Sequence, residues 1–258
     1  MRFDDDDSVD LERAGFLRKD LAAFERHVAR EAFMQYVVDV EGMINDGKEA
    51  TVYLCSTRDS VDVRYLAAKM YRSRKFRAFS NEQQYVNAER ISDRRLRKAV
   101  RHRTAKGKRL SHFMCIRQEW DALEVLHEAG VSVPKPYANA DDGILMEFIG
   151  DEGGAAPMLV NVDLSRDDAD HAFALLMRDV EIMLDCDLVH GDLSAYNVLY
   201  HQGRPRLIDL PQAVDAMQDP NAMELLRRDV ENICRYFERQ GLVLDAMDIT
   251  VNLWSRYW

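Results

Sequence analysis

An α+β protein of two lobes, sheet first and helices after, is the fold class that the order of hydrophobic patterns predicts. Three observations carry it. Short Val- and Tyr-rich runs fill residues 36–69, and apolar stripes at helical spacing fill the second half. A Gly-rich connection, Gly150-Asp151-Glu152-Gly153-Gly154, lies between the two patterns. With 258 residues, 47% of them hydrophobic, the chain can bury the core that either one large domain or two lobes would need. The patterns divide it into a helical extension over residues 1–40, a sheet lobe over 41–149 and a reduced, mainly helical lobe over 150–258.

Each element has a local signal. Leu17, Leu21, Phe24 and Val28 recur at spacings of four, three and four, the stripe of an amphipathic packing helix. Val37-Val38-Asp39-Val40, Thr51-Val52-Tyr53-Leu54 and Tyr65-Leu66-Ala67-Ala68 read as three antiparallel strands. Trp120, Leu123, Val125 and Leu126 mark a helix that Gly130 ends, before the extended Val133-Pro134-Lys135-Pro136. Residues 144–149 form another strand, and the Gly-rich run after it is expected to be flexible. Leu175, Leu176, Val180, Met183 and Leu184 predict one helix, and Leu226, Val230, Ile233 and Phe237 a second that stops before Gly241. No internal repeat is present.

Composition narrows the setting. No stretch approaches the roughly 18 apolar residues that cross a bilayer, and the start of the chain, Met1-Arg2-Phe3-Asp4-Asp5, has no apolar signal region, so no membrane and a cytoplasmic location are expected. Cys55, Cys115, Cys186 and Cys234 are scattered, with neither CxxC spacing nor His partners, and read as reduced and mostly buried. The net charge of −10 hides an asymmetry: residues 72–117 hold fifteen Lys or Arg against three acidic residues, a local net of +12. This basic, flexible insertion reads either as a surface that meets phosphates, of RNA or of a phosphorylated partner, or as a solvated charged loop.

The chemistry concentrates at Leu188-Val189-His190-Gly191-Asp192-Leu193-Ser194-Ala195-Tyr196-Asn197, followed twelve residues later by Asp209 in Leu207-Ile208-Asp209-Leu210. An Asp, an Asn five residues on and a second Asp after the next short strand is the spacing of phosphoryl-transfer centres in kinases. Asp192 can orient or deprotonate an attacking hydroxyl, while Asn197 offers a neutral oxygen and Asp209 a charged one, which suits Mg²⁺ shared with phosphates. Two further elements stand in the expected order. Lys69, in Ala67-Ala68-Lys69-Met70, would hold the α- and β-phosphates, and Glu119, in Gln118-Glu119-Trp120, would pair with it. Gly47 and Lys48, in Asn45-Asp46-Gly47-Lys48-Glu49-Ala50-Thr51-Val52-Tyr53, can present backbone N–H groups and a charge to phosphates, although neither a three-glycine loop nor a Walker A frame is present.

Together these residues resemble the RIO family of atypical serine/threonine kinases, over about residues 42–237. The resemblance rests on Gly47-Lys48-Glu49-Ala50, Met146-Glu147-Phe148-Ile149-Gly150, His190-Gly191-Asp192-Leu193-Ser194, Ile208-Asp209 with Gln212-Ala213-Val214, and Arg228-Asp229 with Asn232. It implies a two-lobed, protein-kinase-like fold that binds ATP and Mg²⁺, with Mn²⁺ as an alternative metal. Adenine would lie against the backbone of Glu147 and Ile149, and catalysis would fall to Asp192, Asn197 and Asp209. The Asp-Leu-Ser form resembles the branch without an N-terminal winged helix. The family lacks an activation segment, and no Ala-Pro-Glu follows Asp209 in the remaining 49 residues. Leu210-Pro211 in place of Phe-Gly argues against a movable Phe switch.

What such a chain would do follows as expectation: transfer of the γ-phosphoryl group of Mg·ATP to protein Ser or to itself, hydrolysis of ATP, or both. The resemblance also implies an acyl-phosphate on the metal-binding Asp and a role in small-subunit maturation. An ATP-gated assembly factor that meets ribosomal RNA or a small-subunit precursor through residues 72–117 is the alternative. A small-molecule phosphotransferase of the aminoglycoside type shares His-Gly-Asp but needs a larger helical lobe, and a dead pseudokinase fits poorly with a complete set of phosphate and metal residues.

Overall fold

Side chains on a strand alternate between faces, so a strand's place in a sheet is written in its burial. In the computed structural model, which describes residues 31–71, 98, 100–102, 104–140 and 142–257, five strands pair antiparallel in the order β1-β2-β3-β5-β4. These are β1 (Val37–Asp46), β2 (Ala50–Thr57), β3 (Tyr65–Tyr71), β4 (Pro136–Ala140) and β5 (Gly143–Glu147). The central β3 is buried on both faces from Leu66 to Tyr71. The edge strand β1 is mostly exposed and has register shifts after Val37, Val40 and Met43, bulges of the kind that twist an edge away from further pairing.

Two compact units make up the chain, Met1–Ile116 with Pro136–Phe148, and Arg117–Lys135 with Ile149–Trp258. The first holds the five-stranded sheet. Its core gathers Val37, Tyr53, Leu66, Ala68 and Leu145, closed by Phe33 from the short α1 (Glu31–Met34). Tyr36 meets Tyr137 edge-on at 5.7 Å between ring centroids, fastening β4 beside α1.

Helices dominate the second unit. The helix α2 (Ala105–Glu128) contributes its last turns, including Trp120, Leu123 and Leu126, to the buried set. α3 (Arg166–Asp185) starts at a Ser165 cap, whose hydroxyl accepts from the Asp168 amide at 3.2 Å and donates to the Asp168 carboxylate at 2.6 Å. Two short antiparallel pairs follow: β8 (Leu188–Val189) with β11 (Val214–Asp215), and between them in sequence the hairpin of β9 (Val198–His201) with β10 (Arg204–Leu207). α4 (Ala222–Arg239) buries Leu226, Val230, Ile233 and Phe237, with the Phe237 ring 5.3 Å from Phe173 and 4.9 Å from Tyr236. α5 (Ala246–Tyr257) closes the unit, with Arg256 paired to Glu181 and the Tyr257 hydroxyl donating to Asp187.

The three early strands and the helices through Val180 and Val230 lie where the hydrophobic patterns put them. Four features differ. The helix expected around Trp120 begins at Ala105, so it takes in the last part of the basic segment. β4 continues past the extended Val133-Pro134-Lys135-Pro136 and carries no strand expectation, because Pro136 and Asn139 mask the signal. The glycine-rich run is a hairpin, β6 (Gly150–Asp151) with β7 (Gly154–Ala155), rather than a flexible connection. α5 was not expected at all; it has only two buried residues, Thr250 and Leu253, so its apolar stripe is faint. The stripe at residues 17–28 and the basic residues 72–97 lie outside the described residues. Among the described residues no helix is long and apolar enough to cross a membrane, and the four cysteines form no disulfide.

Leu145 and Phe237 are both fully buried, one in each unit. Leu145→Ala is expected to cost about 3 kcal/mol and Phe237→Ala about 4 kcal/mol of unfolding free energy, read by urea denaturation.

Candidate active site

Asp192 stands in a loop between β8 and β9 that belongs to neither helix nor sheet, so its backbone N–H and C=O groups must find partners elsewhere. α4 supplies them. Asp229 accepts from the Gly191 amide at 2.7 Å and from the Leu193 amide at 2.8 Å. Arg228 donates to the Gly191 carbonyl, and Asn232 donates to the Leu193 carbonyl at 3.1 Å. One helix face thus ties down both polar backbone groups of the residue before Asp192 and of the residue after it.

The other side of the loop is set by sterics. Gly191 has φ +79°, and a Cβ there would lie 2.6 Å from the Gln212 carbonyl oxygen, so a glycine is required on both counts. His190, 2% exposed, pairs its Nε2 with the Ile208 carbonyl at 3.2 Å. The Ile208 amide in turn donates to the Asn197 carbonyl at 2.9 Å. The strand that leads to Asp209 is therefore stitched to both ends of the loop.

Within this frame three side chains meet. Asn197 donates its Nδ2 to the Asp192 carbonyl at 2.8 Å and to Asp192 Oδ2 at 3.3 Å, and Gln212 donates to the same Oδ2 at 3.1 Å. Because both partners of the Asn197 amide nitrogen are acceptors, its Oδ1 is the end turned away from Asp192. Asp209 follows β10 with φ +68°, a left-handed conformation that is uncommon for a residue other than glycine. Burial pushes the Asp192 carboxyl above the usual carboxylate range, with the like charge of Asp209 adding to it; Arg228, Asn197 and Gln212 oppose the rise.

Carboxylate and amide oxygens of this kind are hard donors. Among the described residues no group of three or more His, Cys, Asp or Glu side chains gathers as a metal site.

The remaining expected residues are placed individually. Lys69 lies on β3, 8% exposed, with its ammonium 5.3 Å from the Tyr71 ring centroid. Gly47 and Lys48 occupy the turn between β1 and β2, closed by the Gly47 amide on the Ala50 carbonyl at 3.0 Å. Glu147 ends β5, in register with Leu66 of β3. In the second unit, Glu119 is 4% exposed on α2 and accepts from the Leu210 amide at 3.4 Å, one residue past Asp209. Ile149 is buried and its carbonyl accepts from the Ala156 amide at 2.9 Å. Gln212, Arg228, Asp229 and Asn232 had been noted only as family-like residues, without a role. One signal marked Asp229: an acid within the apolar stripe of α4, between Leu226 and Val230.

An antiparallel sheet unit, a helical unit, and an Asp and Asn on a braced loop with a second Asp after the next hairpin define a kinase-like α+β protein. Residues 51–250 match the RIO domain family, and the chain belongs to it. It is 33% identical over 208 residues to the serine/threonine-protein kinase RIO1 of Caenorhabditis elegans, covering 80% of this chain and 38% of that one. It is 33% identical over 252 residues to the RIO-type serine/threonine-protein kinase Rio1 of Haloferax volcanii, covering 95% of this chain and 78% of that one. The chain spans 38%, 39% and 35% of the RIO1 proteins of C. elegans, Schizosaccharomyces pombe and human. The crystal structure of the Rio2 kinase of Chaetomium thermophilum, an ADP/Mg²⁺-phosphoaspartate complex, shares the fold at TM-score 0.62 and 23% identity, covering 91% of this chain and 67% of that one.

Burial pushes the Asp229 carboxyl up to about 7, against the pull of its two amide donors and of Arg228. A carboxyl that holds its proton more tightly folded than unfolded stabilises the fold at low pH. That contribution is present in full below the unfolded value near 3.9 and is lost as pH rises through about 7. Urea midpoints taken from pH 4 to pH 8 are expected to fall across this window in the wild type and to fall less in Asp229→Asn. The same variant turns an amide N–H₂ toward one backbone N–H, and is expected to lose about 2 kcal/mol at pH 7.

Proposed function

We propose that this chain is a RIO-type phosphotransferase that takes the γ-phosphoryl group of Mg·ATP and passes it to a protein serine, to itself, or to water. The observation that carries the reading is the braced Asp192, held by Asn197 and Gln212 with Asp209 close enough to raise its proton affinity. A preorganised carboxylate beside a cation-binding pair is what phosphoryl transfer needs, because its catalysis is chiefly positioning and electrostatics.

In this reading Asp192 receives the proton of the attacking hydroxyl and orients its oxygen in line with the phosphorus. Asn197 and Asp209 would hold Mg²⁺, which when bound supplies the positive charge that offsets the phosphate oxygens; Mn²⁺, which favours similar oxygen ligands, would substitute. Gly47, Lys48, Lys69, Glu119, Glu147 and Ile149 carry the proposed nucleotide-binding roles. An acyl-phosphate on the metal-binding Asp209, which the family resemblance implies, would be an intermediate on the route to water. The cytoplasm, where the cysteines stay reduced, is the proposed location.

A second reading, an ATP-gated factor that binds RNA, is favoured by one observation, the +12 net charge of residues 72–117 in an acidic chain. Retention on RNA that weakens steeply with salt, and that is lost when residues 72–97 are deleted, would support it.

Two variants test the roles. Asp192→Ala is expected to lower phosphate transfer and release by about 10²- to 10⁴-fold while calorimetric Mg·ATP affinity stays within about twofold. Asp209→Ala is expected to weaken Mg·ATP binding itself; an unchanged Mg²⁺ dependence would remove it from the metal site. Reading free and protein-bound phosphate in parallel separates hydrolysis from kinase action. A protein-bound label that hydroxylamine releases would be an acyl-phosphate, and one that survives would be on serine or threonine.

A further inference from the structure

Resting on the phosphotransferase reading, we infer that Gln212 is a positioning residue that holds Oδ2 of Asp192 and so presents the other oxygen, Oδ1, to the acceptor group. Two donors converge on Oδ2, Gln212 Nε2 at 3.1 Å and Asn197 Nδ2 at 3.3 Å. Among the described residues none donates to Oδ1. A carboxylate held in this way cannot turn about its Cβ–Cγ bond without breaking both hydrogen bonds, so one oxygen is committed and the other is aimed.

Asn197 gives Oδ2 the longer of its two bonds. Its amide nitrogen is shared with the Asp192 carbonyl at 2.8 Å, the shorter of its two bonds, and the proposed role of its oxygen is at the metal. Gln212 reaches Asp192 from a separate segment, three residues past Asp209, in a turn closed by the Ala213 amide on the Leu210 carbonyl at 3.0 Å. The backbone of that turn abuts the loop as well, at the point where a Cβ on Gly191 would meet the Gln212 carbonyl oxygen at 2.6 Å. Backbone and side chain of Gln212 therefore brace consecutive residues of the loop.

The residue type suits the task. A glutamine offers a neutral N–H donor at a reach that asparagine lacks by one methylene. A lysine or arginine would hold the same oxygen but would form an ion pair with the carboxylate and reduce its basicity. A glutamate would set a second negative charge beside it.

The test uses the full chain and three variants, Gln212→Leu, Gln212→Glu and Gly191→Ala, the last displacing the Gln212 backbone while keeping its donor. Turnover with Mg·ATP is read as kcat against KM, with thermal melts as the folding control. All three variants are expected to lose about 10- to 100-fold in kcat with KM for Mg·ATP within about twofold. Independently of turnover, the Gln212 side-chain amide is followed by ¹H–¹⁵N correlation spectroscopy without nucleotide. Its resonances are expected to shift to the position of a solvated glutamine amide in Asp192→Ala. A kcat unchanged in Gln212→Leu, or a loss confined to KM, overturns the positioning role. An amide resonance that does not move in Asp192→Ala overturns the hydrogen bond on which it rests. Absence of any Asp192-dependent turnover in the wild type sinks the phosphotransferase reading instead, and the amide resonance still reports whether Gln212 holds the carboxylate.

Discussion

A carboxylate that is 1% exposed accepts two backbone amides 2.7 and 2.8 Å away, and the candidate site depends on this contact between Asp229 and the loop at Gly191 and Leu193. The loop that carries Asp192 makes no regular hydrogen-bond ladder, and its flanking amides would be costly to leave buried and unmade. Arg228 and Asp229 both neighbour Asn232 on α4, because residues three and four apart are adjacent on a helix surface. Between them they take the N–H and C=O groups of both neighbours of Asp192. The backbone on either side of Asp192 is thereby fixed, and its side chain is left to Asn197 and Gln212. Charge on Arg228 also partly offsets the cost of burying a carboxylate beside it.

The opposite side of the loop is governed by close approach rather than by charge. Gly191 lets the Gln212 backbone come into contact, and that contact places the Gln212 side chain within 3.1 Å of Asp192. His190 and Asn197 then bind the strand that leads to Asp209, through Ile208. Glu119 on α2 reaches the amide just past Asp209. The carboxylates of Asp192 and Asp209 are thus set by a continuous network rather than by the loop alone, which is how two like charges can be kept near each other at the cost of a raised proton affinity.

Much of the fold was legible because its signals are local. The runs at Val52 and Leu66, and the stripes through Val180 and Val230, need only the period of a strand or helix to be read. β4 was missed because its Pro and Asn are poor strand formers, and its pairing with β5 is what makes it a strand. α2 extends back to Ala105 through Lys- and Arg-rich turns, where a charged face masks the apolar period. α5 buries too little for a stripe to stand out.

By itself the sequence picked out the candidate trio. Asp192, Asn197 and Asp209 recur at a spacing that a loop, a strand and a turn impose, so a short stretch of chain contains the pattern. Tertiary structure alone decided what orients them. Asp229 lies 38 residues from Gly191, Gln212 lies 20 from Asp192 and Glu119 lies 91 from Leu210. Hydrogen bonds across such separations leave no period in the chain, because they are set by how helix, loop and turn pack together. An acid in the apolar stripe of α4 is the nearest thing to a trace of them, since a buried charge implies a partner without saying where it is.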